Sequence, residues 1–275
     1  MNYFRVNISL ILFCIASVFA EPINAQTHSK FNRLIWSDEF DCQGNLPDTN
    51  KWNYNHGNGC PSLCGWGNDE RQFYTTSRPE NAQIRDGRLI IKANKEQFEN
   101  HAYTSARLTS RYKGDWTYGR IEIRAKLPTG RGIWPAIWML PSNPGNGGWP
   151  MDGEIDIMEN VGYWPDSLFG TVHTGAYNGM KGTQQSKGIA VSTLSKEFHT
   201  YGVEWDKDQI VFMIDHEPYH RFTNDHKNTR DTWPFDQAFH LVMNVAVGGH
   251  WGGKYGVDDQ IFPQQMEVEF VRVYQ

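Results

Sequence analysis

Three carboxylates fall within six residues at Glu154-Ile155-Asp156-Ile157-Met158-Glu159, interleaved with large apolar side chains and introduced by Gly153. The backbone that carries them decides whether they can cooperate. On a helix, Glu154 and Asp156 would point about 200° apart. On a strand they share one face, while Ile155 and Ile157 share the other and can enter a core. Strict alternation would turn Glu159 to the wrong face. One extra residue, a β-bulge around Met158, returns it to the carboxylate face. Crowded acids repel, so at least one is expected to hold its proton near neutrality. A protonated acid beside an ionised carboxylate is the pair that cleavage of a glycosidic bond uses. An acidic solvent-facing strand, or a metal site, would leave the same six residues, so the flanks must decide.

The elements around this segment read as short strands. Asp86-Gly87 is a turn dipeptide before Arg88–Ala93, and Gly119 to Leu127 alternates cleanly until Pro128. Phe198 to Trp205 and Gln209 to Ile214 follow, with Asp215-His216-Glu217-Pro218 turning the chain back. Phe239 to Val247 and Met266 to Tyr274 complete the series. Persistent amphipathic helix patterns are absent, and a short turn is expected near Asn224 to Arg230. Many short strands imply an all-β sandwich or barrel. The irregular stretches 53–71 and 140–152 are rich in Trp, Gly and Cys and read as binding loops.

Eleven Trp, twelve Tyr and fifteen Phe accompany 26 Gly, which suits strands joined by tight turns. The same rings offer flat apolar faces and N–H or O–H groups to a sugar. A net charge of −5 without blocks of like charge argues against nucleic acid or an anionic membrane as partner. Residues 1–25 read as an export signal: a short basic start at Met1 to Arg5, an apolar run from Val6 to Ala20, and cleavage after Ala20 or Ala25. The rest, 26–275, shows no linker or repeat and reads as a single catalytic domain, secreted or periplasmic and monomeric. Cys42, Cys60 and Cys64 then remain, enough for one disulfide whose pairing is open.

The flanks supply the specificity. Gly153 to Asn160, read as Gly-Glu-Ile-Asp-Ile-Met-Glu-Asn, resembles the bulged, laminarinase-like active-site signature of glycoside hydrolase family 16. Further segments match in order: Trp36 to Phe40, Asn68 to Thr75, Ser105 to Leu108, Tyr118 to Glu122 and Gly132 to Pro141. Gly170 to His173, Asn244 to Gly249 and Val271 to Tyr274 complete the set. The resemblance implies a β-jelly-roll sandwich of two curved antiparallel sheets with a concave glycan-binding cleft. It implies a retaining endo-β-1,3-glucanase acting on laminarin-like β-glucan. Glu154 would be the nucleophile, Glu159 the general acid/base, and Asp156 the assisting acid that shares a proton with Glu154. Mixed-linkage β-1,3-1,4-glucan, a galactan such as agar, and a non-catalytic β-glucan-binding protein stay open as alternatives.

Around these acids, Asn68 and Arg107 match family positions that contact sugar hydroxyls, although Arg107 could instead pair with a structural acid. Trp134 and Trp138 share a strand face, with core packing as the competing role. Trp251 after Gly248-Gly249, and Trp149, are expected at the cleft, while His173 would bond the acids, bond the sugar or simply line the edge. Asn244 could face the cleft or cap a turn. No cofactor is expected for catalysis. The family's structural Ca²⁺ would fall to Glu39, Gly87 and Glu269, although Glu269 stands where the family usually has Asp.

Overall fold

The computed structural model describes residues 29–41, 44–145 and 147–275, so the expected leader at 1–25 and Cys42 lie outside it. Eighteen strands form among the described residues. The first six are β1 Leu34–Asp38, β2 Asn53–Tyr54, β3 Gln72–Tyr74, β4 Ala82–Arg85, β5 Arg88–Phe98 and β6 His101–Ser105. Next come β7 Arg107–Thr109, β8 Asp115–Trp116, β9 Gly119–Lys126, β10 Ile133–Pro141, β11 Glu154–Glu159 and β12 Ser167–His173. The last are β13 Gln185–Ala190, β14 His199–Trp205, β15 Gln209–Ile214, β16 Glu217–Thr223, β17 Phe239–Val247 and β18 Gln264–Tyr274.

One sheet runs β16-β15-β14-β9-β18-β5-β6-β3, with β1 against β18 and β4 against β5. The other runs β13-β12-β11-β10-β17-β7-β2, with β8 against β17. Antiparallel pairing holds throughout, save for β3 with β6. This is the all-β jelly-roll sandwich expected from the sequence.

Alternation builds the core between the sheets. Ile121, Ile123 and Ala125 of β9 and Val271 and Val273 of β18 meet Ile133, Ile137 and Met139 of β10 and Leu241, Met243 and Val245 of β17. β17 is buried along its whole length, because its second face lies beneath the side chains of the site. The Asp86-Gly87 turn joins β4 to β5 with φ of 54° and 67°, the geometry a two-residue hairpin turn requires. Asn224 to Arg230 forms no helix. Asn224 Oδ1 accepts from His226 N and Asp225 Oδ1 from Lys227 N, so the side chains satisfy the backbone locally in place of a helical turn. Cys60 and Cys64 form a disulfide within the loop before β3.

The proposed calcium ligands meet a different fate. Asp38 lies opposite Val271 and Leu89 opposite Val268, so Glu39 and the Asp86-Gly87 turn approach the stretch of β18 that carries Glu269. However, Arg272 donates to both Glu39 oxygens at 3.0 and 2.8 Å. Arg124 Nε donates to Glu269 Oε2 at 2.7 Å, and Arg88 Nη2 stands 3.6 Å from the other oxygen. A divalent cation here would face guanidinium groups already neutralising both acids. These residues do not fit calcium.

Candidate active site

The bulge expected in β11 is present. Ile137 pairs with Met158 and Trp138 with Asp156, so Ile157 is the extra residue on the β10 side. On the other edge, Asp156 pairs with Thr171 and Glu159 with Phe169. Ile155, Ile157 and Met158 are fully buried in the core, which leaves Glu154, Asp156 and Glu159 on the outer face. Gly153 makes the approach possible. Its φ is +89°, and a Cβ there would lie 2.8 Å from Pro234 and 3.1 Å from Phe235.

Each glutamate receives one indole N–H. Trp149 Nε1 donates to Glu154 Oε2 at 2.9 Å, and Trp134 Nε1 to Glu159 Oε1 at 3.1 Å. His173 stands 3.3 Å from Asp156 Oδ2 and 3.9 Å from Glu154 Oε1 through its Nε2. Its other nitrogen, Nδ1, accepts from the backbone N–H of Gly179 at 3.2 Å. A nitrogen that accepts a hydrogen bond carries no proton, so the ring proton sits on Nε2 and faces the acids.

Burial, followed by the neighbouring Asp156, pushes the Glu154 carboxyl up to about 8, while His173 and the Trp149 N–H pull it back. Burial raises Asp156 to about 7, against a hydrogen bond with Glu154 that lowers it. Glu159 is held well above the ordinary carboxylate range by burial and then by Asp156, with Glu154 adding to the repulsion. These shifts favour the protonated form of Glu159 and leave Glu154 and Asp156 to share a proton. Glu154, Asp156 and His173 also offer ligand atoms within 4.8 Å of one another. The histidine nitrogen that faces the acids is the protonated one, so this trio presents an N–H where a metal needs a lone pair.

The remaining residues gather on two sides. On one, Trp138 Nε1 donates to Asn244 Oδ1 at 2.8 Å, and Asn244 Nδ2 donates to Tyr74 Oη at 3.1 Å. Tyr74 in turn donates to Glu70 Oε2, which also accepts from Gln72 Nε2. Arg107 lies between the rings of Trp66 and Trp138, 4.5 and 4.6 Å from their centres. Asn68 borders this group, donating to Glu70 Oε1 at 3.4 Å. On the other side, Trp251 packs edge-on against both Trp134 and Phe169. Trp149 stands at the rim, 46% exposed, tilted against His173. All eight side chains expected to bind substrate thus surround the acids. Glu70, Tyr74, Trp66 and Phe169 were given no role in the sequence reading. The polar alternation Glu70-x-Gln72-x-Tyr74 was a usable signal, the same period of two that exposed Glu154 and Asp156.

A family model for glycosyl hydrolases family 16 matches residues 69–272. A β-glucanase from Rhodothermus marinus is 53% identical over 247 residues, spanning 88% of this chain and 84% of its own. The X-ray structure of the laminarinase from Rhodothermus marinus matches with a TM-score of 0.84 and 52% identity, covering 88% of this chain and 97% of that one. A mutant of SCLam, a non-specific endo-β-1,3(4)-glucanase with a glucan fragment at its active site, matches with a TM-score of 0.84. It is 44% identical over 90% of this chain and 95% of that one.

Proposed function

The chain belongs to glycosyl hydrolase family 16, and on that premise we propose that it is a retaining endo-β-1,3-glucanase acting on laminarin-like polymers. One observation carries the chemistry: a bulged strand sets Glu154 and Glu159 on one face, with different proton affinities and one indole N–H each. Glu154, as the carboxylate, attacks the anomeric carbon while the Glu159 proton passes to the departing glycosidic oxygen. Asp156 keeps the shared proton during attack, and the His173 Nε2–H and Trp149 N–H stabilise the Glu154 anion beforehand. Glu159, now ionised, takes a proton from water as that water attacks the anomeric carbon and frees Glu154. Carboxylates suffice for every step. Trp138, Trp134 and Trp251 present rings to the sugar, while Asn68, Arg107 and Asn244 offer hydrogen bonds to its hydroxyls.

The leader-like residues 1–25 and the Cys60–Cys64 disulfide support export to an oxidising compartment, where the enzyme would act as a monomer. Product profiling tests the substrate. Laminarin is expected to give a ladder of short oligosaccharides with an early fall in viscosity, lichenan a slower release, and agarose and cellulose none. Faster cleavage of lichenan than of laminarin would move the assignment to mixed-linkage glucan, and cleavage of agarose would move it to a galactan.

A further inference from the structure

Arg107 is a buried cation held almost entirely by rings. It is 9% exposed, and its Nε has no hydrogen-bond partner among the described residues. Burial works against the charge, while Tyr74, Glu70 and Glu154 favour it through space. The guanidinium itself lies between two indoles, 4.5 Å from the ring centre of Trp66 and 4.6 Å from that of Trp138. A desolvated cation between two such faces is held by their quadrupoles. Its N–H edge then stays free to donate to a hydroxyl.

The two rings are not fixed alike. Trp138 belongs to β10 and donates to Asn244 at 2.8 Å. Trp66 sits outside any strand, in the short turn Cys64–Gly67. Gly65, Trp66 and Gly67 all have left-handed backbone, with φ of 59°, 52° and 78°. For a side chain as bulky as tryptophan that conformation is strained and persists only where the surroundings impose it. Gly65 O accepts from both Asn68 N and Glu70 N at 3.0 Å, and Trp66 Nε1 donates to Gly57 O at 3.3 Å. On the entry side, the Cys60–Cys64 disulfide closes the chain across Pro61-Ser62-Leu63. All five of these residues are exposed, so the bridge adds nothing to the core and acts by restricting the chain that leads into Trp66.

We propose that Trp66 is a positioning residue for the glucanase, pressed onto Arg107 by the turn that the Cys60–Cys64 disulfide closes, and that it aims the guanidinium at a hydroxyl of the bound glucan. The proposal rests on the glucanase reading for the identity of the sugar. Trp66 acts through Arg107 and not on the sugar itself, so the two residues form one unit. The disulfide makes that unit redox-sensitive, since an exposed bridge is open to a reductant and its loss releases the strained turn.

A double-mutant cycle separates this role from packing and from direct stacking on sugar. Trp66→Ala is expected to raise KM on laminarin about tenfold, with kcat within about threefold of wild type. Trp66→Phe, which keeps an aromatic face, should recover most of the loss. In an Arg107→Met background, Trp66→Ala should add less than about twofold, and effects that multiply would overturn the positioning role. If Arg107→Met turns over too slowly, laminaritriose affinity by calorimetry closes the same cycle. NMR of the Arg107 Nε–H reads the contact without sugar. Ring currents from two faces hold its proton signal upfield, and Trp66→Ala should move it downfield; an unmoved signal in a folded variant overturns the contact. A phosphine tests the disulfide. It gives two electrons to the bridge and becomes its oxide, water supplying the oxygen and two protons, so that Cys60 and Cys64 end as thiols. The reduced wild type should show the raised KM, as should a variant carrying both Cys60→Ser and Cys64→Ser, with little further change in Trp66→Ala. An unchanged KM after complete reduction would overturn the disulfide's part. A wild type that binds laminaritriose without hydrolysing laminarin would overturn the glucanase reading and leave the cycle to be read from affinity.

Discussion

Glu154→Gln is expected to lower kcat on laminarin by at least about 10³-fold while the folded protein still binds the polymer. The amide matches the carboxylate in size and can still accept the Trp149 N–H that Glu154 now holds at 2.9 Å. It has no negative oxygen with which to form the glycosyl–enzyme bond, so the first step fails. Removing one acid from the crowded trio also relieves repulsion on Asp156 and Glu159, and the melting temperature should hold or rise. Reducing-end release and calorimetric binding measured on one preparation read both effects. Hydrolysis within about tenfold of wild type would remove Glu154 from the nucleophile's role.

Glu159→Gln is expected to cost about 10²–10⁴-fold on laminarin, the range for a lost general acid/base. The glutamine keeps an oxygen for Trp134 Nε1, so geometry is preserved and the transferable proton alone is lost. The leaving group then separates the two half-reactions. An activated aryl laminaribioside needs little protonation, so its first step should survive and the covalent intermediate should accumulate. Added azide needs no base to attack and should restore turnover, giving a β-glycosyl azide. The pH profile carries the sign. Glu159 has a raised pKa and acts protonated in the first step, so wild-type activity falls as pH rises through that value. In Glu159→Gln this alkaline limb should vanish. An alkaline limb that persists unchanged, with no response to azide, would place the acid elsewhere.

Much of this site was legible because its information is local. Glu154, Asp156 and Glu159 break a period of two at one point, and that break required the bulge found at Ile157 and Met158. Asp86-Gly87 announced its hairpin through the positive φ that the turn demands. Contacts made across strands were not legible in the same way. The Glu70–Tyr74–Asn244–Trp138 chain joins β3, β17 and β10, and only the register brings those residues together. Calcium failed for a related reason. Arg124 and Arg88 come from β9 and β5, so nothing in the β18 sequence alone shows that Glu269 is already paired. At Asn224 to Arg230 the expected short turn is built by side chains, Asn224 and Asp225 accepting from backbone N–H groups two residues on.

The central claim is that Glu154 and Glu159 act in sequence on one anomeric carbon, with a covalent glycosyl–enzyme between them. Two displacements at that carbon return its starting configuration, and one displacement by water inverts it. Proton NMR of the reducing end during the first minutes of laminarin hydrolysis reads the difference before mutarotation erases it. The β-anomer is expected to appear first, with the α-anomer growing in only as mutarotation proceeds. Initial release of the α-anomer would contradict the covalent mechanism and the nucleophile's role assigned to Glu154.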